Sequence, residues 1–212
     1  MVPSVHFDKG SIFVVGAAHA GKSELSMRMI LKVQEELGGD GLSKRGGVTK
    51  LAGSQFRTVV IGTALPEEQA FKSRLDGLKS LRPSSWRTIE EPVALVNSLE
   101  TMKDEYDYFL IDSLSQWIAA LLYTGSSKYS LEQLEVYAMD EIKGFIELLQ
   151  KMKKDCTKNL IVVSSEVGAG ISPQKHIERL FRELVGRANC MVAEVAGTVV
   201  HVVAGIGTVI KS

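Results

Sequence analysis

Four short apolar runs punctuate the chain at Ser11–Val15, Thr58–Ile61, Tyr108–Ile111 and Asn159–Val163. They are rich in β-branched and aromatic residues and do not alternate with polar ones, which predicts strands buried on both faces. Between them the apolar period changes to that of a helix. Leu25, Met29, Ile30 and Val33 share one face of a helix expected over Glu24–Leu37, and Leu131–Lys154 reads as a long amphipathic helix with both charge signs outside. Leu114–Tyr123 and Gln174–Ala196 are also expected to be helical. Two more helices are expected to open at a proline, from Pro66 to about Ser80 and over Glu91–Lys103 with Pro92 near its start, because proline has no N–H to lose there. The chain closes on two strands, Thr198–Val203 and Thr208–Ile210. Strands alternating with helices predict an α/β domain spanning 1–212, its mostly parallel sheet covered by helices on both faces. The stretch from Gly38 to Phe56 contains Gly39, Gly41, Gly46, Gly47 and Gly53 and no clear period. It is expected to be a long loop, either a surface insertion without order or a lid over a ligand site.

Met191–Ile210 holds twenty mostly apolar residues, enough to raise the possibility of a membrane span. Glu194 interrupts it near the middle, where a carboxylate costs about 2.5–3.5 kcal/mol in a bilayer, and Gly-punctuated β-branched sequence follows. A helix end running into two core strands explains the segment better. The chain of 212 residues carries 25 Lys+Arg against 25 Asp+Glu, and this balance argues against a nonspecific nucleic-acid binder. An apolar content of 45% excludes intrinsic disorder. Cys156 and Cys190 lie far apart outside any CxxC spacing, and MVPSVHFDKG has no signal-peptide pattern. A soluble protein of the reducing cytoplasm, with no membrane partner, is expected.

The first predicted strand runs into Gly16-Ala17-Ala18-His19-Ala20-Gly21-Lys22-Ser23, which matches GxxxxGK[ST], the P-loop. Chance alone gives such a match in roughly one 200-residue chain in a hundred, and fewer still between a buried strand and a helix. Its glycines permit a turn whose N–H groups face phosphate oxygens, and the helix start adds about half a positive charge. All eight residues are the expected nucleotide-binding set, with Lys22 reaching the β- and γ-phosphates and Ser23 coordinating Mg²⁺. Asp112 ends the third strand, where a carboxylate beside a P-loop holds Mg²⁺ directly or through water, although Asp also suits a helix N-cap there. Glu166 ends the fourth strand in the loop EVGAGISP, on the edge where open parallel sheets bind ligands. It contacts substrate, positions water, or caps neighbouring amides. Lys22, Asp112 and Glu166 are thus the candidate catalytic residues. Trp86 reads as a core anchor and Arg87 as an ion-pair partner. His6, His19, His176 and His201 share no metal-ligand spacing.

Several segments in order resemble the bifunctional adenosylcobinamide kinase and adenosylcobinamide-phosphate guanylyltransferase family of cobalamin biosynthesis. They are GAAHAGKS, RPSSWRTIEEP at Arg82–Pro92, LIDSLSQWIAALL at Leu110–Leu122, and SSEVGAGISPQKHIERLFRELVGRAN at Ser164–Asn189, followed by VVAGI. The resemblance covers nearly the whole chain except the apparent insertion at about 38–56. It implies a RecA-like P-loop fold, a homotrimer, and two activities. One phosphorylates the aminopropanol hydroxyl of adenosylcobinamide with ATP or GTP, and the other transfers GMP from GTP to the resulting phosphate. Gly16, Gly21, Lys22 and Ser23 would bind nucleotide, Asp112 would take the Mg²⁺-linked acidic position and Glu166 would lie in the signature loop.

The departures are specific. Family members use a covalently guanylylated histidine in the helix before RPxxWRT; here the ungapped positions are Gly77 and Leu78, and no histidine occurs between His19 and His176. His19 and Ala20 replace the usual Arg and Ser, and Ser165 replaces an Asn. Losing a catalytic nucleophile can cost on the order of 10⁶ in rate, whereas phosphoryl transfer to a hydroxyl needs positioning and charge stabilisation but no protein nucleophile. The kinase equipment is therefore better kept than the transferase equipment. A non-catalytic nucleotide-binding homologue and a kinase for another hydroxylated substrate stay open as alternatives.

Overall fold

The computed structural model describes residues 3, 10–38, 42–45, 48–51, 56–65, 77, 82–154 and 158–212. Its strands are β1 (Ile12–Gly16), β2 (Leu42–Arg45), β3 (Val48–Leu51), β4 (Thr58–Gly62), β5 (Arg87–Glu90), β6 (Tyr108–Asp112), β7 (Asn159–Ser165), β8 (Thr198–Val203) and β9 (Ile206–Lys211). The helices are α1 (Lys22–Gly38), α2 (Leu95–Met102), α3 (Leu114–Gly125), α4 (Leu131–Lys154) and α5 (His176–Val195). Seven strands form one sheet in the order β5-β4-β6-β7-β1-β8-β9, parallel throughout except for the β8–β9 hairpin.

The unbroken apolar runs sit in the middle of this sheet because each must bury two faces. On one face Ile12, Val14, Val60, Leu110, Ile161 and Val163 pack with Leu25, Met29, Ile30 and Val33 of α1. On the other, Phe13, Val59, Ile61, Phe109, Ile111 and Val162 pack with residues of α2 to α5. The expected α/β architecture with a mostly parallel sheet is present, and helices cover both faces. Residues 191–210 are the end of α5 followed by the closing strands, and no helix among the described residues is long and apolar enough to cross a membrane.

Two expectations need correction, and one strand was not foreseen. Gly38–Phe56 is not a structureless loop, since β2 and β3 pair antiparallel within it from Leu42↔Leu51 to Arg45↔Val48. Gly46-Gly47 between the two strands is a hairpin signal that the surrounding glycines obscured. Arg87–Glu90 forms β5, at the edge of the sheet, where a short and largely polar strand is tolerated but gives no apolar run to recognise. The helix expected from Glu91 begins only at Leu95, because Glu91 turns its carboxylate on the chain ahead and accepts from the amides of Val93 at 3.1 Å and Ala94 at 2.7 Å. Of the helix expected over 66–80, only Gly77, which is helical, falls within the described residues.

Helices α3 and α4 run antiparallel. Trp117 near the start of α3 packs against Phe145 with ring centroids 5.6 Å apart, and Gly125 at its end lies against Leu134 near the start of α4. The 24 residues of α4 span about 36 Å, whereas the 5 residues of β6 span about 17 Å. Since α4 returns the chain to the amino end of β7, its first turns and the end of α3 project beyond the carboxyl edge of the sheet. The start of α5 projects with them, for Asn189, well along that helix, is level with the end of β7, its Nδ2 donating to the Ser165 carbonyl at 3.1 Å.

Candidate functional site

Strand β1 delivers the chain to the carboxyl edge at Gly16, which pairs with Val202 of β8 so closely that a Cβ would collide with the Val202 carbonyl. The loop then curls. Ala20 N donates to Ala17 O at 3.2 Å, while His19 and Gly21 adopt left-handed φ values of 61° and 88°. Such a φ costs glycine little but is uncommon for histidine. The turn between β8 and β9 braces the loop from behind, Gly205 N donating to Ala20 O at 2.8 Å. Helix α1 starts at Lys22, and Leu25 N donates to Gly21 O at 3.0 Å.

Lys22 is buried, only 7% exposed, and its Nζ donates to the Ala17 carbonyl at 2.7 Å. The ammonium is therefore folded into the crook of its own loop. Ser23 Oγ donates to Asp112 Oδ1 at 2.9 Å, across the intervening strand β7. Ser113 rather than Asp112 caps α3, its side chain accepting from Gln116 N, so the N-cap role expected for Asp112 falls to its neighbour. Glu166 follows β7 directly and its amide donates to Gly16 O at 2.9 Å, so its backbone abuts the start of the P-loop. Its exposed carboxylate accepts from Gly168 N at 2.7 Å, the amide-capping role. The expected P-loop residues, Asp112 and Glu166 thus converge on one edge.

The sequence reading missed a second layer. Arg82 Nη1 donates to Thr88 Oγ1 at 2.9 Å. Burial lowers the Arg82 pKa from its ordinary value, while the charges of Asp112 and Glu90 act in the opposite direction. The Glu90 carboxylate lies over Gly62, where a Cβ would strike it, and Gly62 pairs with Glu90 on one side and Asp112 on the other. Thr63 holds the next peptide, its Oγ1 donating to Ser113 O at 2.6 Å and accepting from Ser113 N at 2.9 Å. From α5, Arg182 donates to Gly168 O, and Arg179 donates to Pro173 O at 3.0 Å and Gln174 O at 2.6 Å, pinning the loop after β7. Arg82 and Glu90 bracket RPSSWRTIE, and that coupling of basic and acidic ends was the available signal. Within it Trp86 is buried as a core anchor, and Arg87 is exposed.

Among the described residues no group of three or more His, Cys, Asp or Glu side chains could cage a metal. The Ser23 hydroxyl and the half-buried Asp112 carboxylate are hard oxygen donors, and so small a protein set fits Mg²⁺, which keeps waters and takes phosphate oxygens as its remaining ligands. His201 is exposed on β8 and His176 opens α5; His6 is outside the described residues. Gly77, one of two positions where a histidine was expected by resemblance, is exposed, and a Cβ there would meet nothing within 4 Å, so packing does not require a glycine. Leu78 lies outside the described residues.

Comparison with known proteins gives concordant results. The bifunctional adenosylcobalamin biosynthesis protein CobU of Escherichia coli is 27% identical over 175 residues, covering 82% of this chain and 97% of the relative. CobU of Salmonella typhimurium is 29% identical over the same shares. The bifunctional adenosylcobalamin biosynthesis protein CobP of Pseudomonas aeruginosa is 26% identical over 198 residues, 93% of this chain and 95% of that protein. A family model described as cobinamide kinase / cobinamide phosphate guanyltransferase matches residues 44–210, beginning beyond the P-loop. With that match spanning well over half its length, the chain belongs to the cobinamide kinase / cobinamide phosphate guanyltransferase family.

Proposed function

We propose that the chain transfers the γ-phosphoryl group of ATP or GTP to the aminopropanol hydroxyl of adenosylcobinamide. The observation that carries this reading is the pairing of a buried Lys22 ammonium inside the loop with a Ser23–Asp112 hydrogen bond beside it. On nucleotide binding, Lys22 exchanges the Ala17 carbonyl for phosphate oxygens, and the amides of Gly16 to Gly21 close round the same group. Mg²⁺, held by Ser23 and Asp112, would neutralise phosphate charge. Glu166 orients the acceptor hydroxyl and accepts its proton, exchanging the Gly168 amide for the substrate. A bond forms between the acceptor oxygen and Pγ, the bond from Pγ to the bridging oxygen breaks, and nucleoside diphosphate leaves. This chemistry asks the protein only for position and charge.

The second family activity, GMP transfer to the phosphorylated product, has no histidine at Gly77 or Leu78 to carry it. The kinase step is therefore the principal activity, acting in one domain spanning 1–212. A cytoplasmic location and a homotrimer follow from family resemblance. Incubating the protein with adenosylcobinamide, Mg²⁺ and GTP, and then weighing both small molecules and protein by mass spectrometry, tests both activities. Adenosylcobinamide phosphate with no protein-bound GMP is the expected result. Nucleotide binding without any phosphorylated product would instead make the chain a non-catalytic homologue.

A further inference from the structure

The projecting ends of α3, α4 and α5 enclose a groove of about 520 Å³ whose lining includes none of the P-loop residues. Leu122 and Tyr123 of α3, Tyr129 before α4, and Ile177, Glu178 and Phe181 of α5 line it. Its volume is that of a small-molecule site and its lining is mainly apolar and aromatic. Tyr123 is 60% and Tyr129 42% exposed, which is more aromatic surface than a solvated helix tip needs.

The groove is tied to the phosphate site by two helices. Helix α3 starts two residues after Asp112, and Leu122 lies about 12 Å along it from Leu114. Helix α5 follows the loop that Glu166 opens. Between Glu166 and the groove residue Ile177 stands Ile171, 98% exposed, an isoleucine left in water on the connecting loop. A phosphate site and an apolar groove thus stand on the same edge of the sheet, joined by a loop that carries a free apolar side chain. The acceptor has matching parts: a hydroxyl on a flexible arm, and a bulky macrocycle whose rim carries methyl groups among its amide side chains. An alkylated cobalt(III) corrin is also cationic, and the one charged group of the lining is Glu178, whose carboxylate pairs with Lys175 at 3.3 Å at the groove's edge.

We infer that this groove binds the methyl-bearing rim of the corrin ring, so that the side arm reaches the Lys22–Ser23–Asp112 site. The inference rests on the kinase reading above and adds where the acceptor is held. The test is steady-state kinetics of Tyr123→Ala and Glu178→Lys, with adenosylcobinamide varied at saturating Mg²⁺·nucleotide, alongside sedimentation to measure mass. Both side chains are exposed, so neither change threatens folding. Expected is an acceptor KM raised about tenfold by Tyr123→Ala, with kcat and nucleotide KM within about threefold of the parent, the pattern of lost uniform binding. An unchanged acceptor KM in an active enzyme would overturn the groove and leave the kinase assignment standing. A change of mass in solution with KM unaltered would make the groove an interface between copies of the chain and equally overturn it. No phosphorylation by the parent protein would remove the kinase reading and the groove with it.

Discussion

Asp112→Asn isolates charge from shape at the centre of the site. Asn Oδ1 can still accept from Ser23 Oγ, so the 2.9 Å contact survives as a neutral hydrogen bond. The fold should lose only about 1 kcal/mol, the difference between charge-assisted and neutral bonds, or about 2–4 °C in Tm for a chain of this size. Metal binding should suffer much more. A divalent ion on the Ser23 hydroxyl at about 2.1 Å would lie at most about 5 Å from Oδ1. Between a double and a single charge at that distance the attraction is about 7 kcal/mol at an effective dielectric of 20, and about 1.7 kcal/mol in bulk water. Asp112 is half-buried and sits between these limits. A loss of at least about 2 kcal/mol, or about 30-fold in the Mg²⁺ concentration for half-maximal effect, is therefore expected. The assay titrates Mg²⁺ against binding of a fluorescent nucleotide analogue. Affinity without Mg²⁺ should hold or improve, since one negative charge near the phosphates is gone. Half-saturation by Mg²⁺ within about threefold of the parent would refute the assignment of Asp112 to the metal, because no plausible dielectric makes the effect so small.

Lys22→Ala should lower phosphoryl transfer by at least about 100-fold while circular dichroism shows the fold intact; parent-like turnover would refute the role of the ammonium. Gly16→Ala should destabilise by about 1–3 kcal/mol and abolish nucleotide binding, as seen in thermal melts with and without nucleotide, because its Cβ meets the Val202 carbonyl of a neighbouring strand. Trp117→Phe removes the bond from Nε1 to the Val93 carbonyl, 2.9 Å long, from a fully buried side chain. Its expected cost is about 1–3 kcal/mol by denaturant unfolding, with no change in nucleotide affinity.

The sequence by itself determined the central strands, the helices between them and the phosphate loop. Buried parallel strands demand continuous apolar runs, and a P-loop demands glycine, lysine and a hydroxyl at fixed spacing, so each is a local pattern with a local cause. Tyr108–Asp112 and Leu131–Lys154 show this well, since neither depends on its neighbours to be recognised. Tertiary structure decided everything that rests on partners distant along the chain. Polar β5 becomes a strand only because β4 offers it an edge. Arg82 and Glu90 gain meaning only where Gly62 leaves room beside Asp112. The contact of Ser23 with Asp112 spans 89 positions along the chain, and only the order in which β1, β7 and β6 lie side by side brings the two together. In the same way, α3, α4 and α5 each read as helices and α4 as an amphipathic one. Their overshoot past the sheet, and the groove between their tips, follow from how the lengths of helices and strands compare once both are packed in one layer.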